Sequence, residues 1–199
     1  MSEKPIIFSS EMIRAILNGT KTQTRRVVKQ PRCESSVKYD PLSKTGWSNA
    51  HGYPINPPCS TGDVLWCRET WTDSCGMLEN ALSGKKIHYC ADCEDDSRGL
   101  FAPCRWKKKP SIHMSRVAAR LFLRVADVRV ERLQAITEAD ARAEGCTYGF
   151  HDDGVSKHLK DHTPQKQFAA IWDSLYSKRG YGWDTNPWVW VISFERVTP

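Results

Sequence analysis

The sequence predicts an α+β fold, a small mixed β-barrel with helices packed around it. Strand-like segments outnumber long helical ones, and no strand-helix-strand repeat points to a doubly wound sheet. The 199 residues, 40% hydrophobic and 26% charged, have the composition of one ordered domain spanning 1–199 rather than of a disordered chain.

Pro5 to Phe8 is a short apolar opening. Ser9 or Ser10 then reads as a helix N-cap, with Glu11 near the positive helix start and Met12, Ile13, Ile16 and Leu17 on one stripe. Asn18-Gly19 ends that helix, because glycine enters the left-handed region cheaply. Residues 21–28 read as a strand, and a Pro-, Ser-, Gly- and Asn-rich excursion follows to Ser60.

A turn at Thr61-Gly62-Asp63 precedes Val64 to Trp71, which has the aromatic and apolar content of a buried strand. Lys85 to Cys90 alternates like a short strand, and Trp106 to Lys109 is a basic and aromatic knot. Arg120 to Arg132 reads as a long strand that changes phase at Ala126-Asp127, which predicts a bulge. Thr137 is an expected N-cap with an acidic side chain three positions on, and Gly145 closes that helix with Glu144 in its last turn. Thr163 caps a second helix with Pro164 at its first position and Phe168, Ile171, Trp172, Leu175 and Tyr176 on one stripe, stopped by Gly180. Trp188 to Glu195 is a final strand with Trp188, Trp190, Ile192 and Phe194 on one face.

The longest apolar run is far short of a membrane span, and MSEKPIIFSS lacks the basic segment and apolar stretch of a signal peptide, so a cytoplasmic protein is expected. In that compartment the eight cysteines are expected as thiols. Cys90-x-x-Cys93, with Cys75, His88 or Cys104 nearby, is half of a zinc-ribbon pattern; the second pair is missing, and no metal or cofactor is expected. A net charge of +6 favours a polyanionic partner.

The chemistry concentrates in Gly19-Thr20-Lys21-Thr22-Gln23-Thr24-Arg25-Arg26. On an extended strand Thr22, Thr24 and Arg26 point one way and Lys21, Gln23 and Arg25 the other, so Lys21 needs a bend to meet Thr24. Gly19, Lys21 and Arg26 fit Gly-x-Lys-x-x-x-x-Arg, the signature of the ASCH domain, a branch of the PUA-like barrel superfamily. The chain resembles that family in the position of this motif after the first helix, in Thr61-Gly62-Asp63, in Leu133 to Glu144 and in the final aromatic strand. Stretches at about 32–60, 72–110 and 146–162 look like insertions, and Pro110-Ser111-Ile112-His113-Met114 is similar to larger members carried by phages and prophages.

The resemblance implies a PUA-like fold and, by likeness to small bacterial N4-acetylcytidine amidohydrolases, an amidohydrolase acting on an N4-acylated cytidine or related modified nucleoside. Lys21 and Thr24 match the lysine and the threonine three residues later, and Leu133-Gln134-Ala135-Ile136-Thr137-Glu138 leads to Glu144 at the matching distance. The implied roles are Thr24 as nucleophile, Lys21 as its base and Glu144 as acid. A threonine hydroxyl attacks only when a neighbour takes its proton, so Lys21 must spend time neutral. Gly19, Arg25, Arg26, Glu69, Trp71, His113 and Arg116 are candidate contacts to substrate or nucleic acid. The alternative is a non-catalytic module of a phage or prophage that binds RNA, DNA or a modified base, with Lys107 to Lys109 as extra contact surface.

Overall fold

Capping residues and apolar spacing set the three helices where the sequence puts them. The computed structural model describes residues 2–29, 37–40, 43, 46–49, 51–72, 87–93, 108–147 and 163–198. The strands are β1 (Glu3–Ile7), β2 (Gln23–Val27), β3 (Val37–Tyr39), β4 (Trp47–Asn49), β5 (Val64–Arg68), β6 (Trp71–Thr72), β7 (His88–Tyr89), β8 (Phe122–Arg132) and β9 (Trp188–Val197). The helices are α1 (Ser10–Leu17), α2 (Glu138–Ala143) and α3 (Pro164–Tyr176). A mixed sheet has strand order β1-β5-β8-β9-β2, and β3-β4 and β6-β7 form two-stranded ribbons. This is the α+β class expected. Among the described residues no helix is long and apolar enough to cross a membrane.

The contacts group into two compact units interleaved along the chain: Met1–Gly19, Thr61–Val125 and Phe194–Pro199 in the first, Thr20–Ser60 and Ala126–Ser193 in the second. In the first unit β1 runs parallel to β5, from Glu3 opposite Val64 to Ile7 opposite Arg68. β5 is antiparallel to β8, with Trp66 opposite Phe122. The Ser9 side chain accepts from the Met12 N–H and caps α1, whose Ile13 and Ile16 are buried. Trp66, Ala119 and Phe122 form one apolar cluster, and Ile87, Tyr89, Met114 and Ala118 form another.

In the second unit β2 is antiparallel to β9, from Gln23 opposite Ser193 to Val27 opposite Val189. Thr137 caps α2 through a reciprocal pair with Asp140, which satisfies donors that a helix start leaves open. The Thr163 side chain accepts from the Lys166 N–H and caps α3, with Pro164 where a missing N–H costs nothing. Leu133, Ile136, Ala141, Cys146, Phe168, Trp172, Val189 and Val191 form the core that joins both helices to β9.

Several expectations are corrected. The long strand begins at Phe122 rather than Arg120, because Arg116–Ala118 forms a 3-10 turn. It continues through the phase change, where Ala126 and Asp127 are exposed in succession. The expected strand from Val64 to Trp71 is divided between β5 and β6 at Glu69, a buried carboxylate held by Arg120. The final strand is buried on both faces, since Val189 and Val191 are as enclosed as Trp190 and Ile192. Cys93, expected as a thiol, is disulfide-bonded, whereas Cys59, Cys67, Cys90 and Cys146 are buried thiols. Cys75, Cys104 and Lys107 lie outside the described residues.

Candidate functional site

The second unit collects the polar groups that the sequence singled out. Lys21 stands before β2 in an isolated bridge to Glu144, and the Thr22 N–H donates to the Ala143 carbonyl at 2.8 Å. The segment entering β2 is therefore tied to the end of α2. Lys21, Gln23, Thr24 and Arg25 are all buried there. Lys21 Nζ donates to Glu144 Oε2 at 2.6 Å and to the Glu144 carbonyl at 2.9 Å.

Arg25 completes the cluster. Its Nη1 donates to Gln23 Oε1 at 2.7 Å and to Glu144 Oε1 at 3.3 Å. Its Nη2 lies 3.3 Å from Glu131 Oε2 and 3.5 Å from Asp140 Oδ2. Arg129 reaches both of those carboxylates from the same strand as Glu131, meeting Asp140 Oδ1 at 2.9 Å. A buried guanidinium lying over Phe168 needs such partners, since an unpaired buried charge costs far more than a paired one.

Lys21, Asp140 and Cys146, like Arg129, depart from their ordinary proton affinities. Burial pushes the Lys21 ammonium down, and this outweighs the attraction of Glu144. Burial raises Asp140, but hydrogen bonds from Thr137 and the charges of Arg25 and Arg129 reverse this and hold it below the usual carboxylate value. Burial, with Glu144 beside it, pushes the Cys146 thiol up to about 12.

Of the residues expected at the site, Lys21, Arg25 and Glu144 are in direct contact. Thr24 is buried on β2 opposite Ile192. Strand alternation turns it to the face opposite Gln23 and Arg25, the face of Ile192 and Trp190. Arg26 is half-buried and its Nη1 donates to the Arg25 carbonyl at 3.2 Å. Gly19 is exposed at the end of α1 with φ +75°, a backbone conformation that favours glycine.

The remaining candidates belong to the first unit and are engaged within it. Glu69 is buried and takes a bidentate bond from Arg120, at 2.9 and 3.1 Å, while Arg120 Nη1 meets Asp92 at 2.7 Å. Trp71 lies under Lys109, whose Nζ is 4.7 Å from the ring centroid. His113 is exposed in a 3-10 turn. Arg116 pairs with Glu3 and lies over Phe122.

Sequence reasoning missed Gln23, Arg129, Glu131, Asp140 and Cys146 as neighbours of this cluster. Gln23 and Arg25 carried a signal: polar residues at alternate positions of a buried strand require polar partners. The identity of those partners is not encoded locally.

No family model matches the chain, and no curated protein matches it. The chain is similar in structure to an ASCH domain from Lactobacillus crispatus JV V101, with 13% identity and a TM-score of 0.42, covering 100% of this chain and 81% of that one. It is also similar to a protein from Enterococcus faecalis V583 described by the family model DUF984, with 11% identity and a TM-score of 0.44, again covering 100% and 81%.

Proposed function

We propose that the chain is an amidohydrolase acting on an N4-acylated cytidine or a related modified nucleoside, with Thr24 as nucleophile and the Lys21–Glu144 pair moving protons. The observation that supports this reading is the buried lysine, 2.6 Å from a carboxylate and with its proton affinity lowered by burial. A proton shift from Nζ to Oε2 leaves a free amine and a protonated acid, the two groups that amide cleavage needs, without changing the total charge.

In the first half-reaction the Thr24 hydroxyl oxygen bonds to the acyl carbon and its proton passes to the Lys21 amine, a transfer that requires the Thr24 side chain, turned by strand alternation away from Arg25, to come within reach of Nζ. The carbon–nitrogen bond breaks as Glu144 gives its proton to the departing cytosine nitrogen. Water then attacks the acyl-threonine ester, and a carboxylic acid leaves as the Thr24 hydroxyl is restored. Glu144, 9% exposed against 2% for Lys21, is the member nearest solvent and the expected side of substrate entry.

Burial weighs against the alternative use of Lys21 as a phosphate contact, which requires a cation that a polyanion can reach, whereas Arg26, the other cation of that reading, is half-buried. Hydrolysis of N4-acetylcytidine by the purified protein, run beside Thr24→Ala, tests the reading. Turnover lost in the variant supports it. Equal turnover in both proteins, or none in the folded wild type across a series of N4-acylated cytidines, overturns it and favours nucleic-acid binding.

A further inference from the structure

We propose that Arg25 is a positioning residue for the Lys21–Glu144 pair: anchored by Glu131 and Asp140, it takes one oxygen of Glu144 and so limits the hold of that carboxylate on Lys21 Nζ at the other. The consequence for reaction rate rests on the amidohydrolase reading; the effect on Lys21 itself does not.

Glu144 is the C-cap of α2, where the negative end of the helix disfavours a carboxylate. It is kept there by two cations, one on each oxygen: Lys21 on Oε2 and Arg25 on Oε1. Arg25 is itself fixed from three directions. Glu131 comes from β8, Asp140 from the first turn of α2, and Gln23 from the same face of β2. Phe168 of α3 lies against the guanidinium, 5.7 Å from centroid to Cζ, and Val191 of β9 is opposite in register.

This arrangement makes the proton on Lys21 depend on Arg25 through the carboxylate they share. Glu144 divides its attraction between two cations, so removing one strengthens its hold on the other. Among the described residues, the charged and titratable groups around the pair include Arg26 on β2, Arg129 and Glu131 on β8, Asp140 on α2 and Cys146 just beyond it. With Arg25 neutralised, Glu131 and Asp140 lose a cation as well, and their field also favours a charged lysine. With Glu131 neutralised instead, Arg25 is less compensated and draws Glu144 more strongly. The two substitutions must therefore move Lys21 in opposite directions.

The experiment follows the titration of the Lys21 Cε resonance in protein labelled with carbon-13 lysine, with the signal assigned by its loss in Lys21→Met. In Arg25→Met the Lys21 midpoint is expected to rise by about one pH unit, and in Glu131→Gln to fall. Arg25→Lys, which keeps the charge but not the fork, is expected to lie between wild type and Arg25→Met. Unmoved midpoints in folded variants, or two shifts of the same sign, overturn the proposal. If Arg25→Met does not fold, Glu131→Gln decides by itself, a fall supporting and no change refuting. Absence of turnover with opposite shifts present would refute the amidohydrolase reading and leave the positioning role standing.

Discussion

Lys21 and Glu144 are 123 residues apart in sequence, yet the lysine ammonium bonds both the carboxylate and the backbone carbonyl of the glutamate. The carbonyl bond makes the contact specific to one position, because a carboxylate alone could be reached from many. It uses an acceptor that the end of α2 leaves unpaired within the helix.

Truncating one member of this pair should be costly. Lys21→Met removes a cation from beside a carboxylate that is 5% exposed, and a loss of roughly 3–5 kcal/mol is expected by urea denaturation. The double variant Lys21→Met/Glu144→Leu should regain much of it, since no buried acid is then stranded. Equal stability of single variant and wild type would mean that the pair contributes nothing to folding.

The lowered proton affinity of Lys21 gives stability a definite slope with pH. Between its depressed value in the folded protein and about 10.4 in the unfolded chain, the unfolded state binds the extra proton, so stability rises with pH across that window. The cost of keeping this buried lysine charged is fully present below the window and disappears above it. Denaturation curves at a series of pH values should show the rise in wild type and a smaller one in Lys21→Met.

Glu69 and Arg120 should behave as a structural pair. Burial raises the Glu69 carboxyl despite the bidentate guanidinium, so the acid depends on that partner for its charge. Arg120→Met is expected to lower stability by roughly 3–5 kcal/mol, and Glu69→Leu in the same chain to restore a large part. Thermal and chemical unfolding of the two variants check this, and an Arg120→Met protein as stable as wild type would contradict it.

Cys146 sits beside the Lys21–Glu144 pair and is 3% exposed, with its thiol pushed up to about 12. Only the thiolate is nucleophilic. Iodoacetamide at pH 8 should leave Cys146 unmodified in the native protein and label it after unfolding, as read by peptide mass spectrometry. Rapid native labelling would show that the thiol is neither enclosed nor neutral.

The cap residues Ser9, Thr137 and Thr163, the helix stops at Asn18-Gly19 and Gly145, and the aromatic strand from Trp188 were legible because each is set by neighbours within a few positions. The division of Val64 to Trp71 into two strands was not, because it turns on Glu69 finding Arg120, 51 residues away. The candidates Glu69, Trp71, His113 and Arg116 illustrate the same limit. Their residue types suit a binding site, but type alone does not reveal that Glu69, Trp71 and Arg116 are occupied by Arg120, Lys109 and Glu3.

By itself the sequence determined the α+β class, the three helices with their caps, and the final aromatic strand. Backbone periodicity and capping chemistry act over three or four residues and are written locally. Only the tertiary structure decided that Arg25 would be enclosed and that it would share Glu144 with Lys21. Its acidic partners lie 106 to 119 residues away, and burial, which sets the proton affinity of Lys21, exists only once those segments have packed.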